Sequence, residues 1–229
     1  MRTTALIGVF AFAIAANAQV TTTLARRTIS TTGTATVPAT PDKANVELGV
    51  TTQATTAQDA SGQNATQVSS VLNALRGVLG PTATITTVSY TLSPLYNNPG
   101  PGQPQTIIGY QASNIVDATI TDLTLIGKVI DAGIGGGANR VQSITFGLQN
   151  PDPVQTQALK SAAASALAQA KTIASGLGVN VGNVLQASQG GSVSPPIAFG
   201  AAGGASATTP IEPGAIQVSA TVSIVAEII

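Results

Sequence analysis

No cysteine occurs anywhere in these 229 residues. Whatever the chain folds into is held by packing and hydrogen bonds, with no disulfide and no thiolate–metal staple. Histidine is absent too. The two absences remove the thiol nucleophile, the imidazole metal ligand and the one side chain that ordinarily titrates near neutrality. A Ser-His-Asp triad is impossible, and neither a Gly-x-Ser-x-Gly elbow nor a Ser-x-x-Lys motif occurs.

The first 18 residues read as a secretory signal. Arg2 is the positive start, Ala5 to Ala16 is the apolar stretch, and Ala16-Asn17-Ala18 fits the small-x-small cleavage rule. Cleavage is expected after Ala18, which makes the protein periplasmic and leaves 19–27 as a flexible threonine-rich leader. The apolar stretch is shorter than the roughly 20 residues that a membrane-spanning helix needs, and no later segment reads as one. With no cysteine after the cleavage site, no lipoprotein anchor is expected. Lysines and arginines number nine, as do aspartates and glutamates. So balanced a chain carries no electrostatic footprint for nucleic acid. So few charges also give little colloidal repulsion, which points to self-association.

Past the leader, apolar residues alternate between two periods. Thr28 to Val37, Ala44 to Gln53, Thr84 to Leu95, Thr106 to Ile120, Asn139 to Leu148, Val181 to Gln189 and Ala215 to Ile228 read as strands. Val68, Val71, Leu72, Leu75, Val78 and Leu79 recur at helical spacing and stop at Gly80-Pro81. Asp122 caps a short helix through Leu123, Ile126, Val129 and Ile130. Pro151-Asp152-Pro153 opens a long alanine-rich helix, with Asp152 as its cap, that stops at Gly178. The expected fold class is α+β, a mostly antiparallel sheet packed by two long helices and one short one. Strand, helix, strand, loop and strand recur over 43–120 and 139–228, which suggests two βαββ-like halves inside one domain spanning 28–229.

Candidate chemistry is sparse. Gly133-Ile134-Gly135-Gly136-Gly137 follows a helix and precedes a strand, the reverse of a phosphate loop, so it reads as a helix end. Asp117 and Asp122 straddle a strand end and a helix start, where capping is the simpler role, and nothing places two carboxylates together for acid–base work. No catalytic, cofactor-binding or metal-ligating residue is assigned, and no cofactor is expected. Tyr90, Tyr96 and Tyr110 gather around the loop 97–104. Cross-strand packing explains them, and a possible interaction surface is the functional reading.

These residues also resemble the SIMPL domain family, whose bacterial members include periplasmic immunogenic proteins of about this size. The pattern starts at Ile29-Ser30-Thr31-Thr32-Gly33-Thr34-Ala35 and Pro41-Asp42-Lys43-Ala44. It continues through Thr86 to Tyr96, Gly109-Tyr110-Gln111-Ala112-Ser113-Asn114, Gly137-Ala138-Asn139-Arg140-Val141 and Ile144-Thr145-Phe146. Ala166 to Lys171 and Ile211-Glu212-Pro213-Gly214 complete it. The resemblance implies an exported α+β protein of two halves that tends to form homo-oligomers, with no assigned reaction and no catalytic residues to carry over. The expected function is a non-enzymatic, exported periplasmic protein that self-assembles in a structural or cell-envelope-related role, its envelope partner unidentified. The alternative is a binding module that holds a peptide or apolar small molecule through the loops 94–106 or 190–213.

Overall fold

The computed structural model describes residues 26–97, 100, 103–194 and 213–229. The signal, its cleavage site and most of the leader lie outside them, as does most of the loop 190–213. Seven strands and three α-helices follow in the order β1 (Thr28–Ala39), β2 (Lys43–Ala54), α1 (Ala57–Leu79), β3 (Ile85–Tyr96), β4 (Ile107–Ile120), α2 (Ile126–Gly135), β5 (Arg140–Gly147), α3 (Asp152–Gly176), β6 (Val181–Ser194) and β7 (Ile216–Ile228). A 3-10 turn, Leu123–Leu125, leads into α2. The α+β class stands, but the strands form two antiparallel sheets rather than one: β3-β4-β2-β5 and β1-β7-β6.

The first sheet is built around β2. Its Ala44, Val46, Leu48 and Val50 are fully buried, while Asn45, Glu47 and Gln53 face away. Onto that apolar face pack Val68, Val71 and Leu75 of α1 and Ile126, Val129 and Ile130 of α2, with Phe146 of β5 at the margin. Each buried aliphatic side chain contributes roughly 1.5–3 kcal/mol of transfer free energy. α1 starts well before its apolar repeat, because Thr56 caps it: the Asp59 amide donates to Thr56 Oγ1 at 3.1 Å.

The second sheet uses much smaller residues. All of α3's buried positions are alanines four apart, namely Ala158, Ala162, Ala166, Ala170 and Ala174. With only methyl groups between them, helix and sheet backbones come into direct contact. Thr31 Oγ1 donates to the Ala166 carbonyl at 2.8 Å. At Gly33 a Cβ would collide with the Ala162 carbonyl and the Ala166 amide, so only glycine fits there. Ile216, Val218 and Ile224 of β7 fill the rest of this core, which shares no residue with the first.

Sheet membership departs from the linear halves. β5, grouped by order with the second half, bonds to β2, and β1 bonds to β7 in unbroken register from Thr28↔Glu227 to Ala39↔Ile216. Two short crossings therefore join the sheets, residues 40–42 and 148–151. Asp152 does not cap α3. Pro151 occupies the cap position without a side-chain bond, and the Asp152 amide instead donates to Asn150 Oδ1 at 3.1 Å. β6 runs on to Ser194, past the expected end at Gln189.

Candidate functional site

The three tyrosines sit on one hairpin. β3 and β4 pair from Ile85↔Ala118 to Tyr96↔Ile107. The base of their loop is tied by the Asn97 amide to the Thr106 carbonyl at 3.0 Å and by the Thr106 amide to Asn97 Oδ1. Register decides which way each tyrosine points. Tyr90 lies opposite Asn114 and Tyr110 opposite Pro94, both on the side of the sheet that α1 covers. A slip in the register after Leu95 then puts Tyr96 beside Ile107. So the hairpin puts Tyr90 and Tyr110 on one face and carries Tyr96 at its far end, past the slip.

α1 does not cover the whole hairpin. Its first turns reach Tyr90, whose hydroxyl donates to Ser61 Oγ at 2.9 Å. Val88, Tyr90, Leu92, Tyr96, Ile107 and Ile108 keep between 40% and 62% of their surface in solvent. These six supply much of the exposed large-apolar surface of the described residues, on one arm. The sequence singled out the tyrosines and missed the aliphatic residues beside them. Ile107-Ile108 directly after a Pro/Gly loop was the available signal.

Behind the arm lies a buried amide. Asn64 of α1 is 1% exposed, and its Nδ2 donates to the Val50 carbonyl at 2.9 Å and the Ala112 carbonyl at 3.3 Å. It ties the helix to two adjacent strands at once. Its Oδ1 and that of Asn114 have no protein partner.

The carboxylates do not converge. Asp117 sits within β4 and accepts from Asn45 Nδ2 at 2.7 Å, which is a strand position and not a cap. Asp122 is the cap expected of it, accepting from the Thr124 amide at 3.1 Å and the Thr124 hydroxyl at 2.6 Å. Those bonds, with Lys128 nearby, hold its carboxyl below the usual carboxylate range. Gly133–Gly137 closes α2: the Gly136 amide donates to the Ala132 carbonyl, and Gly137 follows at φ +114°. Among the described residues no three acidic, histidine or cysteine side chains meet to hold a metal ion. Nor is any described helix long and apolar enough to cross a membrane.

The surface of the described residues includes three open depressions. One of about 480 Å³ lies at the end of α3 by Lys171 and Val181, and one of about 570 Å³ runs along α1 by Gln58 and Gln63. The third, about 410 Å³, separates α3 from β6 and is lined by Leu159, Ala163, Ala187 and Val222. None of the three is lined by residues of the loop 94–106.

The model of the SIMPL family, described as a protein of unknown function (DUF541), matches residues 29–226. The chain belongs to the SIMPL family. Its relatives include the 26 kDa periplasmic immunogenic protein of Brucella melitensis, 32% identical over 188 residues, which are 80% of this chain and 74% of the relative. The uncharacterized protein YggE of Escherichia coli is 28% identical over 156 residues, 68% of this chain and 63% of that protein. YggE of Edwardsiella ictaluri is 29% identical over 157 residues, 68% and 65% respectively. The matched span of this SIMPL chain reaches into all seven strands, so the family pattern belongs to both sheets and to the crossings between them.

Proposed function

We propose that this SIMPL protein is exported to the periplasm, assembles there with copies of itself, and acts in the cell envelope through its surfaces and not by catalysis. One observation carries the reading: Val88, Tyr90, Leu92, Tyr96, Ile107 and Ile108 stand exposed on a single hairpin arm that α1 covers only in part. Concentrated apolar surface of this kind marks interaction sites. The low charge of the chain works in the same direction, since little repulsion keeps copies apart. The signal-like first 18 residues and the Brucella relative's name support the location.

Multi-angle light scattering on the protein beginning at Gln19 tests the assembly. The expected result is a mass several times that of one chain, falling when Tyr96→Ser and Ile107→Ser are combined. A single-chain mass throughout the micromolar range would remove the reading and leave the binding-module alternative in its place.

A further inference from the structure

We infer that the edge of β1, unpaired among the described residues, pairs in parallel with the likewise unpaired edge of β6 in a second copy, which joins three-stranded sheets head to tail. The inference rests on the self-assembly reading above and adds to the hairpin arm a second contact between copies, in the other sheet.

The backbone sets the first condition. The Ile228 amide donates to the Arg27 carbonyl at 3.0 Å, so the residues opposite each other there form a hydrogen-bonded pair. Alternation along the unbroken register then turns the N–H and C=O groups of Thr28, Ser30, Thr32, Thr34 and Thr36 away from β7. Pro38 falls in the same outward set, where its missing N–H costs no ladder bond. The same alternation on β7 turns the Ala187 and Gln189 groups of β6 outward.

Edge strands ordinarily carry charges, prolines or bulges that block further pairing. β3 has Pro94 within it and two register slips, and β5 is only eight residues long, with Arg140 and a slip. β1 and β6 carry no charged residue at all. β1 is free of slips over its whole length, and β6 is free of them from Gln186 onward.

The helix layer decides which edge meets which. α3 lies over β1 and β7, where Gly33 touches its backbone, and stops short of β6. On β6 the helix-side residues are bare: Val184 is 49% exposed, and Ala187 and Gln189 are exposed as well. A β6 edge brings no helix of its own. It slides beneath the overhang of α3, where Ile173 and Leu177, 46% and 67% exposed, meet Val184 of the next copy.

Sidedness fixes the direction. The outward residues of β1 have side chains on the helix-free face, and those of β6 on the helix face. A parallel ladder needs that offset, because each residue bonds the two that flank its lateral neighbour. Parallel pairing also brings Arg26 at the start of β1 to the end of the sheet where the next copy carries Glu227. The contact joins unlike surfaces, so it propagates into a closed ring or an open filament.

Cysteine pairs provide the test, because the chain has none of its own. Purified Thr32→Cys protein is mixed with Gln186→Cys, Ser188→Cys or Gly190→Cys protein and oxidised mildly. At least one mixture is expected to give a covalent dimer containing one chain of each kind. Thr32→Cys linking to itself alone would overturn the inference in favour of a two-fold contact. Thr32→Pro, which removes an outward N–H and the exposed hydroxyl bond to Ser223 Oγ, is expected to lower the assembled mass while far-UV circular dichroism stays native, and Thr32→Val, which loses the hydroxyl alone, is expected to keep the wild-type mass. A wild-type protein that assembles, yet gives no mixed link in any combination, overturns this edge contact and leaves self-assembly standing. A wild-type protein that is monomeric overturns both.

Discussion

Asp42 and Gln149 are bonded twice: the Gln149 amide donates to Asp42 Oδ1, and the Gln149 side-chain amide donates to the Asp42 carbonyl at 3.0 Å. The Asp42 amide completes the tie by donating to the Gly147 carbonyl at 3.2 Å. These residues stand at the two crossings between the sheets, so one small cluster sets how the crossings run beside each other. Asp42→Ala removes the carboxylate acceptor and leaves the backbone bonds in place. Losing one such bond is expected to cost about 1 kcal/mol. Hydrogen exchange should quicken at Gln149 while the amides of β2 and β7 keep their protection. Uniformly faster exchange throughout both sheets would show that the tie supports more than the crossings.

Gly33 sets the distance of α3 from its sheet, because no side chain fits between it and the helix backbone. Gly33→Val must lift the helix off β1, which also breaks the Thr31 hydroxyl bond to Ala166. Overpacking of this kind costs roughly 1–3 kcal/mol, and more where backbone must move. The loss should fall on the alanine core alone, since the two cores share no residue. Urea unfolding followed by exchange at Ala166 and, separately, at Val71 distinguishes the two. Equal loss at both sites would mean that the sheets unfold as one unit.

Individual elements were legible because their signals are local. Val46, Leu48 and Val50 alternate, and Val68, Val71 and Leu75 recur at helical spacing, whatever lies elsewhere in the chain. Pairing was not legible. Nothing in Thr28 to Val37 says that its partner lies nearly 200 residues away and not in the adjacent β2, because a period of two marks a strand and not its neighbour. The start of α1 went unread for a different reason: its buried residues there are Ala60 and Asn64, which give no apolar rhythm. The far end of β6 is Gly and Ser, weak strand formers held in place by β7. The tyrosines were legible as a group, but the register slip between Leu95 and Tyr96 leaves no mark in composition.

Asn64 is a polar residue doing the work of a core side chain, and its two bonds to strand carbonyls replace the water it lost. Asn64→Ala removes both bonds and opens space under the helix. The expected cost is about 1–3 kcal/mol, read as a lower denaturation midpoint with unchanged slope. Asn64→Leu separates the two contributions. Recovery with leucine would mean that packing matters more than the clamp, whereas a further loss would mean that the strand carbonyls need the donor.

The cap at Asp122 should be visible in acid. Its carboxyl is held below the ordinary range chiefly by the Thr124 hydroxyl and amide, so the folded state binds that proton less readily than the unfolded chain does. The stability it adds is then fully present above the unfolded value of about 3.9, and is lost as pH falls through the lower folded value. Asp122→Ala should lower the melting temperature at pH 7, and the gap to wild type should close as both are taken well below that range. Thermal melts by circular dichroism at a series of pH values measure the gap directly. A gap that stays constant into strong acid would mean that the uncharged carboxyl caps as well as the carboxylate, and that hydrogen bonding to Thr124 owes nothing to the charge.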